Sequence, residues 1–441
     1  MMGAMMIRHA SPLVTSPFAL AAAVSLALVA CGDSDPSEGV KVEVAKSSLT
    51  RERNPAADDA ALTSAVISDE AFAADLHKQL VLKDASKNLF FSPHSVSSAF
   101  AMLYGGAATQ SQIDIAKTFH FADNNAAFHA ARNKLALALE SRANAAGKGT
   151  DGKGFRLALN NSFWGEKTFT WGAGYLDVLG KNYGAGIYLN DFVADFEKGR
   201  HLINSWTETN TEGRIKELLP EGSLDSSTRF VLVNTVYFNA AWVEQFIPTN
   251  MDFTNAGLTS NVPAITNTGS FRYSKNANGD EVVAVPYEGS QVEFVALLPK
   301  DIAAYEGALD GTTLHSLFAS LTPGAVSLTM PKLKIEGATI SLKEQLSALG
   351  LASIFGAEAD FSPITASAKL QIDDVYHQAF VKLNEKGTEA AAATAITARE
   401  TSAILDPVVV NLNRPYLFFI RDVPTGEILF QGRIVSPSYS E

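Results

Sequence analysis

The sequence predicts an α+β fold, because helical patterns dominate its first part and strand patterns its second part. Apolar residues recur at helical spacing between Ala65 and about Leu82. The members of this apolar row are Ile67, Phe72, Leu76 and Leu80. In contrast, Phe230 to Phe238 is an apolar run with Asn234 inside it, which is consistent with a strand buried on both faces. The chain has 441 residues, of which 46% are hydrophobic and 19% charged, as expected for a globular protein.

The remaining elements follow in chain order. Pro93 suits the first turn of a helix that Ser92 caps and that runs to Tyr104. Further helices are predicted at 128–141, 176–183 and 341–349, and strands at 157–164, 326–335 and 408–411. Two hairpins are predicted, at 281–299 with a turn at Glu288-Gly289 and at 416–435 with a turn at Pro424-Thr425-Gly426.

The N-terminus has the pattern of an export signal. Arg8 and His9 precede an apolar stretch at 18–30, which is the pattern of a secretory signal peptide over residues 1–30. The stretch ends Leu-Val-Ala-Cys-Gly, which resembles a bacterial lipobox and implies lipid attachment at Cys31. By the same resemblance, Gly32 rather than an aspartate after the cysteine favours the outer membrane or the cell surface, from which the domain could be shed to the extracellular space. The alternative is a chance cysteine beside an ordinary cleavage site.

Domain boundaries follow from the polar composition after the signal. Residues 31–62 are predicted to be a flexible tether, and 63–441 a single domain. Cys31 is the only cysteine, so no internal disulfide is expected.

Several classes of function are disfavoured. A net charge of −12 argues against nucleic-acid binding. The glycine-rich segment 147–154 nearly matches a phosphate-binding loop, but Gly154 stands where Ser or Thr is needed, so we interpret it as a flexible loop. No His-Glu-x-x-His or Gly-x-Ser-x-Gly pattern occurs. We therefore expect no enzyme activity, cofactor or metal, and we interpret Ser92, Ser95 and His377 as structural.

The most informative segment is 384–402, a run of small side chains without proline. Strand side chains alternate between faces, and from Thr388 to Ala398 the even positions are all uncharged. One face of this segment could therefore be buried in a sheet without stranding a charge, until Glu400. Gly387 would provide a flexible pivot before it. The alternative is an alanine-rich helix, which the branched Thr and Ile side chains disfavour.

Separated segments resemble the serpin family over about 65–437. They are the Asn-Leu-Phe-Phe-Ser-Pro-His-Ser motif from Asn88, the 203–206 and 215–220 segments, Phe230 to Trp242, Val375 to Phe380 and the 412–422 signature. The resemblance implies a serpin fold with three β-sheets and about nine helices. It also implies an exposed reactive-centre loop at about 385–407. A member of this family presents the loop to a serine protease, is cleaved, and inserts the cut loop into its large sheet, which deforms the bound protease.

The resemblance also assigns roles to individual residues. The hinge is Glu385, Lys386, Gly387, Thr388, Glu389, Ala390, Ala391, Ala392, Ala393 and Thr394. The shutter, where the central strands part, is Ser92, Ser95, Asn234 and His377, and the breach, where insertion begins, contains Trp242 and Lys332. Lys332 is expected to pair with Glu385.

The family's usual spacing from Glu385 places the reactive bond between Thr401 and Ser402, which would suit an elastase-like or subtilisin-like protease. The rival bond, Arg399–Glu400, would suit a trypsin-like protease. The sequence thus predicts a monomeric suicide-substrate inhibitor of serine endopeptidases that is anchored to a membrane through Cys31. The alternative is a serpin-fold binding or structural protein that does not inhibit.

Overall fold

The computed structural model of the chain describes residues 42–144, 149–151, 154–336, 339–388 and 406–440. All of them belong to one compact unit, which runs from 37 to 441. Within these ranges, no helix combines the length and the apolar character that crossing a membrane requires.

Nine α-helices occur in the described ranges, and capping explains where several of them begin. Asp58 accepts a hydrogen bond from the Ala61 amide at the start of α1, and Ser92 does the same for Ser95 at the start of α2. The helices are α1 (Asp59–Lys83), α2 (Pro93–Tyr104), α3 (Thr109–Thr118), α4 (Ala126–Glu140), α5 (Ala173–Tyr183), α6 (Phe192–Asn210), α7 (Ile302–Ala308), α8 (Gly311–Ala319) and α9 (Lys343–Leu346).

The described strands form three sheets. The strands are β1 (Val44–Ala45), β2 (Leu89–Phe91), β3 (Arg156–Glu166), β4 (Ile187–Asn190), β5 (Phe230–Ala241), β6 (Ile247–Asn255), β7 (Leu258–Lys275), β8 (Glu281–Pro286), β9 (Val292–Leu298), β10 (Thr322–Pro331), β11 (Leu333–Glu336), β12 (Ile340–Ser341), β13 (Tyr376–His377), β14 (Phe380–Asn384), β15 (Gly387–Thr388), β16 (Val408–Asn411), β17 (Tyr416–Asp422) and β18 (Ile428–Ile434).

A seven-stranded sheet positions the site. Its order is β1-β4-β3-β5-β15-β14-β11, and its pairs are antiparallel except for β3 and β4. Strand β5 is buried along eleven of its twelve residues. One of its faces, which includes Phe238 and Ala240, packs into the main hydrophobic core. We call the opposite face of this sheet the outer face.

A nine-stranded sheet packs on the core-facing side of the seven-stranded sheet, near the C-terminal end of β5. Its order is β16-β10-β7-β8-β9-β17-β18-β2, with β6 added on β7. Side chains from both sheets, among them Phe238, Phe418 and Phe430, share the main core. A second core joins the N-terminal end of β5 to the helices, through Phe230 of β5 and Phe100 of α2. The third sheet is the pair β12 and β13.

The tether predicted for 31–62 differs from the structure over its described part. Strand β1 pairs with β4, and the Glu52 amide donates to the Lys181 carbonyl at 2.8 Å. Helix α1 already begins at Asp59. The polar composition of this segment concealed one short edge strand, whose backbone bonds do not depend on side-chain type.

Three smaller expectations were also wrong. Ile67 was placed in the apolar row of α1, yet its side chain is 48% exposed. The helix predicted at 341–349 is a regular α-helix only over α9, since a wider π-helical turn follows at Ser347–Leu351, in which Gly350 adopts φ +108°. The strand predicted at 326–335 is two strands of different sheets, because β10 ends at Pro331 and β11 begins at Leu333. The remaining predicted helices and strands lie where the patterns placed them, within about six residues at their ends.

Candidate functional site

The central feature of the site is a two-residue strand inside the seven-stranded sheet. After β14 the chain turns at Glu385 and Lys386 and returns as β15. Thr388 lies opposite Leu383 of β14 on one side and Ala240 of β5 on the other. Gly387 and Thr388 of the predicted hinge are therefore already paired with β5 and β14. They lie at one end of what we call the slot, the space between β5 and β14.

Several predicted site residues lie outside the described residues. These are Glu389, Ala390, Ala391, Ala392, Ala393 and Thr394 of the hinge, the reactive-bond candidates Arg399, Glu400, Thr401 and Ser402, and Cys31.

The slot accepts only glycine at its first position. Gly387 has φ +151°, which side chains rarely adopt. A Cβ atom there would lie 2.1 Å from the Ala240 carbonyl oxygen and 2.7 Å from the Ala241 Cα. Both are backbone atoms of β5, so they could not move aside without distorting the sheet.

Thr388 points to the opposite face from Gly387, into the core. Its side chain is 2% exposed, and its hydroxyl hydrogen-bonds to the Tyr287 hydroxyl at 2.5 Å. The Tyr287 ring stacks on Trp242, with ring centroids 4.5 Å apart and planes 9° apart. Burial raises the pKa of Tyr287, so this phenol stays protonated and can donate to Thr388. The two aromatic rings thus form an apolar floor with one polar group beneath the hinge.

Trp242 also holds the turn that precedes the hinge. Its indole Nε1–H donates to the Asn384 carbonyl at 2.9 Å, and its backbone amide donates to the Lys386 carbonyl at 2.9 Å. The amide of Phe246 donates to the Glu385 carbonyl at 2.9 Å. Three donors from the chain that follows β5 therefore fix the reversal between β14 and β15.

Lys332 and Glu385 form the expected pair, with 2.7 Å between Nζ and Oε2. The two side chains are 13% and 21% exposed, so the pair is less exposed than the sequence suggested. Burial raises the pKa of Glu385, but the hydrogen bond and charge of Lys332 outweigh it, and the net pKa lies below its usual value. Tyr439, which the sequence did not single out, lies under the same lysine, 5.3 Å from Nζ to the ring centroid.

The polar residues predicted for the shutter meet at the middle of β5. Asn234 accepts a hydrogen bond from the Ser95 hydroxyl, and its Nδ2 donates to the Ser95 carbonyl at 2.7 Å. Nδ2 also donates to Asn161, which lies directly opposite on β3 and which the sequence analysis missed. Asn161 lies in the strand predicted at 157–164, where Asn160, Asn161 and Ser162 interrupt the apolar residues. Polar residues at the middle of such a strand were the signal that could have identified it.

His377 joins this group through Ser92. The Ser92 amide donates to His377 Nε2 at 3.1 Å, so Nε2 carries no proton. Burial lowers the pKa of His377 to about 4. The Ser92 hydroxyl donates elsewhere, to the Leu429 carbonyl at 2.6 Å. Because the hydroxyl donates to a backbone carbonyl while the imidazole Nε2 accepts from a backbone amide, the pair is not arranged as nucleophile and base.

One buried group among the described residues could offer three ligands to a metal. Asp69, His94 and Glu427 place ligand atoms within 4.8 Å of one another. However, Arg132 donates to both Asp69 carboxylate oxygens, at 2.8 and 2.6 Å, and Ser97 donates to one of them. Arginine already neutralises this carboxylate, so the group is better explained as an ion pair that ties α1 to α4.

Comparison with known proteins bears on this arrangement. The family profile described as "Serpin (serine protease inhibitor)" matches residues 68–437. Human antithrombin-III is 33% identical over 381 residues, which cover 83% of this chain and 80% of that protein. Mouse leukocyte elastase inhibitor A is 35% identical over 383 residues, covering 83% and 97% of the two chains. The solved structure of human thyroxine-binding globulin with its ligand has a TM-score of 0.74 at 26% identity, covering 86% of this chain and all of that one.

Proposed function

The chain belongs to the serpin family, and we propose that it is a suicide-substrate inhibitor of serine endopeptidases. The observation that carries the proposal is β15, since two hinge residues already occupy the slot between β5 and β14. Leukocyte elastase inhibitor A, a relative whose name describes an inhibitor, is covered over nearly its whole length. Loop insertion after cleavage would extend β15 along the slot and carry an attached protease with it.

The register of β15 supports insertion of the following residues. Thr388 lies opposite Ala240, and continuation of the same antiparallel pairing would bring Ala390 opposite Phe238 and Thr394 opposite Asn234. These even-numbered positions would face the core, and each is small and uncharged. About ten inserted residues would add about ten ladder hydrogen bonds, each with a net contribution of about 1 kcal/mol. The sum is comparable to the stability of a whole domain, so the intact form would be kinetically trapped.

The target and the location are further parts of this proposal. Thr401–Ser402 as the reactive bond would fit an elastase-like or subtilisin-like protease, and Arg399–Glu400 a trypsin-like one. Lipid attachment at Cys31 would anchor the inhibitor to the outer membrane or cell surface of a bacterium.

The second candidate is a binding protein of the same fold without inhibitory activity. It is favoured by the similarity to thyroxine-binding globulin, whose solved structure contains thyroxine. Such a protein would be cleaved in its loop without retaining the protease.

The test is incubation of the full chain with an elastase, a subtilisin and a trypsin, followed by denaturing gel electrophoresis. We expect a covalent complex that survives boiling in SDS, and a released C-terminal fragment whose mass places its first residue at Ser402. A fragment that begins at Glu400 would assign the rival bond. Cleavage by all three proteases with no complex would refute inhibition of these protease classes and favour the binding protein.

A further inference from the structure

The glycine-rich segment that the sequence analysis interpreted as a flexible loop contacts the slot. Its described part is Gly149, Thr150 and Asp151, which we call the latch. Thr150 is only 7% exposed. Its backbone amide and its hydroxyl both donate to Asn239 Oδ1 on β5, at 2.9 and 3.0 Å. The interpretation as a merely flexible loop is therefore wrong for these three residues.

Charged groups anchor the latch to the outer face of the sheet. Asp151 forms an ion pair with Arg156 of β3, with 2.8 Å between Oδ2 and the guanidinium. Arg156 Nε also contacts Glu212, in the turn after α6, at 2.9 Å. Glu212 in turn accepts a hydrogen bond from the Tyr237 hydroxyl of β5 at 3.1 Å. The latch is thus held by β3, β5 and the turn that follows α6.

The latch lies directly over the position where the hinge enters the sheet. A Cβ atom built on Gly387 would be 2.8 Å from Thr150 Cγ2, so this methyl group closes the outer side of the slot there. Gly387 and Thr388 pair with Ala241 and Ala240 of β5, and Asn239 is the next residue of β5 in the direction in which the antiparallel pairing would continue. The residue after Thr388, Glu389, would meet Asn239 on β5 and Lys382 on β14 if insertion continued in this register.

That next step conflicts with the latch. Thr388 faces the core, so the side chain after it would face outward. On the outer face at this level, Asn239 already accepts two hydrogen bonds from Thr150. Asp151, which carries a carboxylate, follows Thr150 in the chain. An incoming glutamate would need the same space and would bring a like charge towards Asp151.

We propose that the latch is a conformational stop, which holds the hinge at two inserted residues and must detach before the cleaved loop can insert further. Thr150 and Asn239 are positioning residues in this scheme and do not touch the protease. The effect of the latch on insertion of the cleaved loop rests on the proposed inhibitory function. The contact between the latch and the hinge does not.

The test compares Thr150→Gly with wild-type protein. Thr228→Gly is the matched control, because Thr228 is a buried loop threonine whose hydroxyl is also hydrogen-bonded, at the opposite end of β5. In the intact full chain, hydrogen–deuterium exchange of peptides that contain Gly387 and Thr388 should become about fivefold faster in Thr150→Gly, the ratio that corresponds to one lost hydrogen bond. Thr228→Gly should leave this exchange unchanged.

The second measurement is the partition of cleaved inhibitor between stable complex and free product. With the latch weakened, insertion of the cleaved loop should compete better with hydrolysis of the acyl-enzyme. Thr150→Gly should therefore give a larger share of complex at an unchanged rate of protease association. Asn239→Ala, which removes the acceptor of both bonds, should act in the same direction. Equal exchange and equal partition in Thr150→Gly and Thr228→Gly would overturn the latch. Absence of any complex with wild-type protein would overturn the proposed function, while the exchange comparison would still decide whether the latch holds the hinge.

Discussion

Thr388→Arg tests whether this face of the hinge must enter the sheet. Thr388 is 2% exposed and bonds to Tyr287, whose ring lies against Trp242. An arginine in place of Thr388 would bury an unpaired charge against aromatic rings, at an effective cost of several kcal/mol. It would also leave the Tyr287 hydroxyl without its partner, which costs about 1–3 kcal/mol more.

The inserted hinge gains less than this cost. The amides of Trp242 and Phe246 donate to the turn, and the short pairings with β5 and β14 add a comparable number of bonds. About four hydrogen bonds at about 1 kcal/mol each give about 4 kcal/mol. We therefore expect the hinge of Thr388→Arg to leave the slot, and the protein to become a substrate that is cleaved without forming a complex.

The assay is the ratio of SDS-stable complex to cleaved product at a fixed ratio of protease. Glu389→Arg is the matched control, since it places the same charge on the next residue, which would face outward. We expect nearly all Thr388→Arg to appear as cleaved product. Glu389→Arg should form at least as much complex as wild type, because an arginine on the outward side removes the like charge that would approach Asp151. Equal complex formation by both variants would refute the assigned register.

Three further predictions concern neighbouring groups. Gly387→Ala should also behave as a substrate, because its Cβ would lie 2.1 Å from the Ala240 carbonyl oxygen; an undiminished yield of complex would contradict this. Lys332→Ala removes a largely buried ion pair with Glu385 and should lower the midpoint of thermal unfolding by only a few degrees. It should also speed hydrogen exchange of the hinge measurably. Unchanged exchange would show that Lys332 does not hold the hinge in place. The free energy of unfolding should fall by about 2 kcal/mol between pH 7 and pH 5 on account of His377. Its pKa is about 4 in the folded protein and near 6.5 when unfolded, so the unfolded chain binds the extra proton as the pH falls. A His377→Gln variant that keeps the full pH dependence would show that this residue is not the cause.

Much of the fold was predictable because burial imposes periodicity on the sequence. Strand β5 is predominantly apolar in spite of Asn234, and α2 has both a serine cap and a proline in its first turn. The hairpin of β6 and β7 was not predicted, because much of its surface is exposed and its side chains do not alternate clearly. Strand β1 was hidden for a related reason, since an edge strand of two residues has no pattern of its own.

The site was predictable only where single residues carry the constraint. Gly387, Thr388 and Trp242 could be assigned by resemblance, and the structure brings Thr388 and Trp242 together through Tyr287. Asn161 was not predicted as a site residue, because its role depends on its position opposite Asn234 on a strand distant in sequence. The latch escaped for the same reason, since a glycine-rich composition does not reveal that one threonine in it contacts a remote strand.

The most direct test of the account is the thermal stability of the protein before and after cleavage of its loop. The full chain would be nicked within 389–405 by a protease that does not form a complex, and its unfolding followed by circular dichroism in parallel with intact protein. If the slot between β5 and β14 takes up the cut segment, the nicked form should melt tens of degrees higher, as expected for a gain on the order of 10 kcal/mol. Identical melting curves for the nicked and the intact protein would contradict loop insertion and the inhibitory function derived from it.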